Sequence, residues 1–372
     1  MKPVTQTQLE FAAKQFCGEK RITDCSPYGS GHINDTFRII LECEGSAPAE
    51  VLILQRMNTE IFTEPVQLME NIANVTEHLK KKIAENGGDT KRETLYIVPA
   101  KDGKPYYVDD EGDYWRCYPF ITDTISLDRA ESQEDFYQSA VAFGNFQRLL
   151  SDFPAERLHE TIQGFHDTKA RFEVFKKAVA EDICGRVAEV KEEISFILAH
   201  EDVANVFGDL QAKGELPLRV THNDTKLNNV LMDSTTRKGL CVIDLDTVMP
   251  GLAMNDFGDS IRFGASTADE DEKDLSKVSC DMGMFEVYTK GYIEGCGGKL
   301  TAKEIELLPM GAKVMTFECG MRFLTDYLQG DTYFKIHREG HNLDRCRTQL
   351  KLVADMETKW DIMQAIVKKI YN

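Results

Sequence analysis

The sequence predicts an α+β protein in two unequal lobes, a small strand-rich one over residues 1–122 and a larger helical one over residues 123–372. Three observations predict it. The 372 residues exceed one typical domain, and 42% hydrophobic with 28% charged residues is a composition that folds. The first third carries short β-branched apolar runs around a single long helical segment. From about residue 123 the apolar spacing turns to threes and fours.

In chain order, a mixed polar helix near the N-terminus leads into apolar runs at 21–28 and 35–43, which flank Gly29-Ser30-Gly31-His32. Val51-Leu52-Ile53-Leu54-Gln55-Arg56-Met57 is too short and too branched for a helix and reads as a strand. A helix over 65–86 opens on Pro65 and closes at Gly87-Gly88. Strands are expected at 94–99 and 113–121, then helices at 132–150, 165–184 and 187–212. Short strands and loops follow to residue 251. The last helix is read as one continuous stripe through Leu343, Cys346, Leu350, Val353, Met356, Trp360, Met363, Val367 and Ile370.

Bulk properties exclude several classes. A net charge of −18 disfavours nucleic acid and anionic membrane surfaces as partners. No run of 18 apolar residues is present, and the first residues lack the apolar core of a signal peptide, so a cytoplasmic chain is expected. The ten cysteines contain no C-x-x-C pair and read as reduced thiols. No apolar stripe is left over for a partner once the core is filled, so a monomer is expected.

The segment that carries chemistry is Val220-Thr221-His222-Asn223-Asp224-Thr225-Lys226-Leu227-Asn228-Asn229, an H-x-D-x-x-x-x-N pattern between two strand-like runs. By residue frequencies alone the pattern occurs in about 3% of chains this long. Fifteen residues after Asn229, a second apolar run ends in Asp244-Leu245-Asp246. Phosphoryl transfer requires a base beside the attacking hydroxyl and oxygen ligands for Mg2+ on a rigid platform. Asp224 is the expected base, Lys226 the expected cation near the moving phosphoryl group, and Asn229 with Asp244 the expected metal ligands. Asp246 is read as holding a second metal or the substrate. His222 is expected to hold the loop. Asp256-Phe257-Gly258 spells another metal motif, but it lies 27 residues past Asn229 at what reads as a helix start, so Asp244 is preferred. Gly29, Ser30, Gly31 and His32 are the expected phosphate-covering loop, in which Asn34 stands where a third glycine would be.

These residues resemble the aminoglycoside-phosphotransferase branch of the protein-kinase-like fold, and within it the N-acetylhexosamine 1-kinases. The blocks that carry the likeness are Tyr28-Gly29-x-Gly31-His32-Ile33-Asn34, Leu54-Gln55-x-Met57-Asn58-Thr59, the Asp224 loop, Ile243 to Thr247, Phe257 to Thr267, and Glu318 to Leu324. The resemblance implies a Mg2+-dependent transfer from ATP to the anomeric hydroxyl of N-acetylglucosamine or N-acetylgalactosamine. It implies adenine near Tyr118 and Phe120, and sugar contacts from Asp224, Asp259, Arg262 and Arg322. The strand that usually gives a lysine to the phosphates has Gln55-Arg56 instead, and strand alternation lets only one of these face the cleft. Glu70 and Glu77 are both open as the acidic partner on the first long helix. Rival readings are a kinase for choline, an amino acid, glucosamine or an aminoglycoside, and a nucleotide-binding pseudokinase.

Overall fold

The computed structural model describes residues 2–29, 33–42 and 49–372. Helix α1 (Gln6–Cys17) precedes strands β1 (Ile22–Pro27), β2 (Asp35–Leu41) and β3 (Glu50–Arg56); α2 (Pro65–Glu85) follows, then β4 (Tyr107–Val108) and β5 (Tyr114–Pro119). These strands form one antiparallel sheet in the order β1-β2-β3-β5-β4. Its two faces are chemically distinct because side chains alternate. Phe37, Ile39, Leu52, Leu54, Trp115 and Cys117 pack beneath α1 on one face. On the other, Tyr118 joins the apolar stripe of α2, which also meets Phe146, Val220, Leu245 and Val248 from the second half of the chain. One core therefore welds the sheet and α2 to the helical part.

The helical part begins with β6 (Thr124–Ile125), α3 (Gln133–Leu149), α4 (Thr168–Glu181), α5 (Lys191–Ala199) and α6 (Glu201–Ala212). Short strands β7 (Arg219–Thr221), β8 (Val230–Asp233), β9 (Gly239–Val242) and β10 (Met249–Gly251) pair as β10-β7 and β6-β8-β9. Then come α7 (Ala253–Gly264), α8 (Met282–Cys296), α9 (Ala302–Glu306), α10 (Leu308–Leu328), α11 (His341–Thr358) and α12 (Trp360–Tyr371). The architecture is the α+β, protein-kinase-like one expected. Helix α7 is buried from Ala253 through Arg262. It crosses α10 so closely at Gly258 that a Cβ there would lie 2.2 Å from the Gly311 carbonyl oxygen. A helix this buried that carries Asn255, Asp256, Asp259, Ser260 and Arg262 must satisfy them inside the fold, which singles it out as a scaffold for polar groups.

Three expectations are corrected. Residues 94–99 form no strand; Val98 donates to the Cys117 carbonyl beside β5, but the ladder is not continued. The segment 187–212 is two helices, broken at His200, whose ring bonds back to the Phe196 carbonyl (2.6 Å). The C-terminal stripe is likewise broken at Lys359, whose ammonium is drawn to Asp355, Ser279 and the Cys280 carbonyl. Periodicity runs through both breaks because the flanking helices bury the same core. No described helix is long and apolar enough to cross a membrane, and the nine described cysteines are all free.

Candidate active site

The loop after β7 is held from below by α7. Asn223 adopts φ +65°, a left-handed backbone that asparagine tolerates better than most residues. Asp256, in the first turn of α7, fixes it by accepting the backbone N–H groups of His222 (2.9 Å) and Asn223 (2.8 Å), and the Gln147 amide (2.9 Å). One residue pair further on, Asp259 accepts the Thr225 N–H (3.0 Å) and Ser260 donates to the Thr225 carbonyl (2.8 Å). Asp256 is thus spent on the loop. The His222 ring bonds the Ile243 carbonyl (2.8 Å), meets Phe143 and Phe146 edge-on, and lies within reach of the Asp224 N–H (3.3 Å).

With the loop fixed, Asp224 projects between Lys226 and Asn229. One carboxylate oxygen lies 2.9 Å from the Lys226 ammonium; the other accepts from the Asn229 amide (3.1 Å), which also donates to the Asp224 carbonyl (2.8 Å). Burial pushes the Asp224 carboxyl up, but Lys226, His222 and the Asn229 amide outweigh it and hold the group below its usual value. It is ionised and oriented. Burial likewise works against the Lys226 charge, and Asp224 restores it and more. The ammonium also lies 5.5 Å from the Phe263 ring centre.

Asp244 follows β9 with φ +59°, and the Ile243 N–H to Asn229 carbonyl bond (2.9 Å) ties that turn to the loop. Among the described residues its carboxylate has no hydrogen-bond or ion-pair partner. Its carboxyl is pushed up to about 6, first by burial and then by the charges of Asp246 and Asp224. The side chain remains reachable by solvent, so the surrounding protein crowds it without sealing it. An unpartnered carboxylate raised by two others, on a turn tied to the Asn229 backbone, fits a divalent cation whose remaining ligands are phosphate oxygens and water. No cluster of three or more His, Cys, Asp or Glu side chains closes around such a position among the described residues.

Asp246 is differently occupied. One oxygen pairs with the Arg116 guanidinium of β5 and the other accepts the Asn34 amide (2.7 Å), whose own oxygen takes the Asn58 N–H (2.9 Å). Asn34 is therefore a tie between the two parts of the chain and not a substitute glycine. Gly29 has φ +79°, while Ser30, Gly31 and His32 lie outside the described residues. The open choice on β3 is resolved. Gln55 faces the cleft, bonded to Thr36 (3.0 Å) and to Arg116 (2.9 Å). Arg56, expected as a possible phosphate contact, lies on the α1 face, paired with Asp35 (2.5 Å) and Asp113 (2.9 Å). Glu70 and Glu77 point outward, Glu70 to His159 (2.8 Å); Asn71 is the α2 residue that binds inward, to the His159 and Val248 carbonyls. Tyr118 is buried under Arg116, and Phe120 stands edge-on to Tyr28 at 5.5 Å.

Beyond the loop, Arg262 bridges Asp259 (2.9 Å) and Glu270 (2.8 Å) and stacks on Phe263 at 3.8 Å. With Asp259 bonded to both Arg262 and Thr225, this network braces the loop. Arg322 lies 5.4–5.7 Å from the rings of Phe165, Tyr333 and Phe334 and reaches the Tyr333 hydroxyl (3.3 Å). Behind it sits a group the sequence did not reveal. Glu318 accepts from His166 (2.9 Å) and Thr168 (2.6 Å) with Arg171 at 3.7 Å, and these partners overcome its burial to bring its carboxyl down to about 2. Arg116 was missed as well. Its one visible signal was an arginine in the middle of the apolar strand Tyr114-Trp115-Arg116-Cys117-Tyr118.

The family model described as "Phosphotransferase enzyme family" (APH) matches residues 24–275. The chain is similar to the microcompartment-associated aminopropanol kinase at 15% identity and TM-score 0.59, over 96% of this chain and 98% of that one. It is also similar to the choline kinase of Cryptosporidium parvum Iowa II at 14% identity and TM-score 0.58, over 99% and 100%. A spectinomycin phosphotransferase, solved in complex with ADP and spectinomycin, is similar at 11% identity and TM-score 0.55, over 97% and 99%. At these identities the structures speak for the fold.

Proposed function

We infer that this chain, which belongs to the phosphotransferase enzyme family (APH), transfers the terminal phosphoryl group of ATP to the anomeric hydroxyl of an N-acetylhexosamine, with residues 1–122 serving the nucleotide and residues 123–372 the acceptor. The observation that carries the reading is Asp224, ionised and aimed by Lys226 and Asn229, opposite an Asp244 carboxylate that has no partner among the described residues.

Asp224 accepts a hydrogen bond from the acceptor hydroxyl and takes its proton as the P–O bond forms. Its lowered basicity suits an anomeric hydroxyl, which is more acidic than other sugar hydroxyls, and a loose transition state that releases the proton late. Lys226 holds positive charge beside the transferring group. Asn229 and Asp244 are the residues that would hold Mg2+, which when bound offsets the charge of the phosphates.

Two observations favour a neutral acceptor over choline, aminopropanol or an aminoglycoside. Phe165, Tyr333 and Phe334 are the kind of aromatic group that receives a quaternary or primary ammonium, but here the protein's own Arg322 guanidinium already sits against all three. A second arginine, Arg171, shares Glu318 with it, so the carboxylate behind these rings is already matched by the protein's own cations and is not left over for a cationic acceptor. The sequence blocks shared with N-acetylhexosamine 1-kinases support the sugar. The test is ADP release across N-acetylglucosamine, N-acetylgalactosamine, glucosamine, choline and kanamycin, with the product located by phosphorus NMR. Phosphate on the anomeric oxygen of the N-acetyl sugars is the expected result. Turnover of choline alone, or nucleotide binding with no turnover on any acceptor, overturns the reading.

A further inference from the structure

In kinases of this general plan, a lysine on the third strand contacts the donor phosphates and is held by an acid on the first long helix. This chain has neither part in place. The cleft-facing residue of β3 is Gln55, and the inward residue of α2 is Asn71, whose amide is used on backbone carbonyls.

The missing charge stands one strand away. In the β3–β5 ladder Gln55 pairs directly with Arg116, so the two side chains share the cleft face. Arg116 is 1% exposed. Its Nε donates to Gln55 (2.9 Å), one Nη pairs with Asp246, and the group lies 5.4 Å from the Tyr118 ring centre. The second Nη has no partner among the described residues. A guanidinium presents five donors in a rigid fork matched to phosphate oxygens, and one tine of this fork is not used by any described residue. Burying an arginine here is costly for a fold that only needed to cover a strand, since an apolar side chain would pack at least as well. The arginine also lies close enough to Asp244 for its charge to be felt there.

We propose that Arg116 receives the donor's phosphates in place of a third-strand lysine, with Asp246 as the acid that aims it. Asp246 is then a positioning residue and not a second metal ligand. The inference rests on phosphoryl transfer from a nucleotide and is independent of which acceptor is used.

The test separates phosphate from nucleoside. Binding of Mg-ATP, ADP and adenosine is measured by calorimetry on wild type, Arg116→Lys and Arg116→Met, with melting curves confirming the fold. Loss of a charge-assisted contact to phosphate weakens ATP about 10- to 100-fold in Arg116→Met, leaves adenosine within about two-fold, and is partly restored in Arg116→Lys. If Arg116→Met fails to fold, the double variant with Asp246→Asn, which removes the stranded carboxylate charge, is read the same way. Equal weakening of ATP and adenosine makes Arg116 a structural group and overturns the proposal, as does unchanged binding of both. Wild type that binds neither nucleotide nor adenosine sinks the kinase reading itself.

Discussion

Replacing Asp256 by Asn tests whether the D-F-G triplet grips metal or braces the catalytic loop. The Asp256 carboxylate accepts three hydrogen bonds of 2.8–2.9 Å, two from consecutive backbone N–H groups and one from Gln147, and is 1% exposed. An amide keeps one acceptor and turns an N–H2 toward the donors that used the other. At about 1.5–3 kcal/mol for each charge-assisted bond lost, with a buried donor left bare, the gross effect is roughly 5 kcal/mol. Burial holds this carboxyl above its ordinary range, so removing the charge recovers part of that. A net loss of about 3 kcal/mol is expected. Urea unfolding at pH 7 measures it. In the same variant kcat falls, because Asn223 loses the bond that holds its left-handed backbone, while the Mg2+ concentration for half-maximal rate stays within about three-fold. Stability within 1 kcal/mol of wild type together with a ten-fold shift in Mg2+ requirement would refute the reasoning and return the metal to Asp256.

Asp224→Asn is expected to lower kcat by about 10³-fold, with the calorimetric affinity for ATP within about three-fold; near-full turnover would remove Asp224 as the base. Arg56→Met removes the buried partner of Asp35 and Asp113, which are themselves 39% and 27% exposed, so it destabilises by about 1–2 kcal/mol in urea while the KM for ATP barely moves; a raised KM with unchanged stability contradicts the assigned face. Glu318 has its carboxyl depressed to about 2, so its contribution is complete above about 4.5 and is lost as the pH falls toward 2. Wild type should therefore lose about 1–2 kcal/mol more than Glu318→Gln between pH 4.5 and 3 in urea unfolding, and parallel curves would show that His166 and the arginines do not hold the charge.

What the sequence by itself determined was local. The order of loop residues from His222 to Asn229, the strand leading to Asp244, and the frame of α2 and α3 follow from periodicity, turn chemistry and spacing over a few dozen residues. Alternation along β3 required Gln55 and Arg56 to face apart, but the choice between them depends on which face α1 covers, and that is decided by packing. Arg116 reaches Asp246 across 130 residues and Glu318 meets His166 across 152, joined by strand register and by the packing of α10 against α4. Helix breaks at His200 and Lys359 escaped notice because an apolar stripe records which side is buried and not whether the backbone continues. Side-chain chemistry is written in the chain residue by residue; a charge's partner depends on burial and register, which exist only once distant segments have packed.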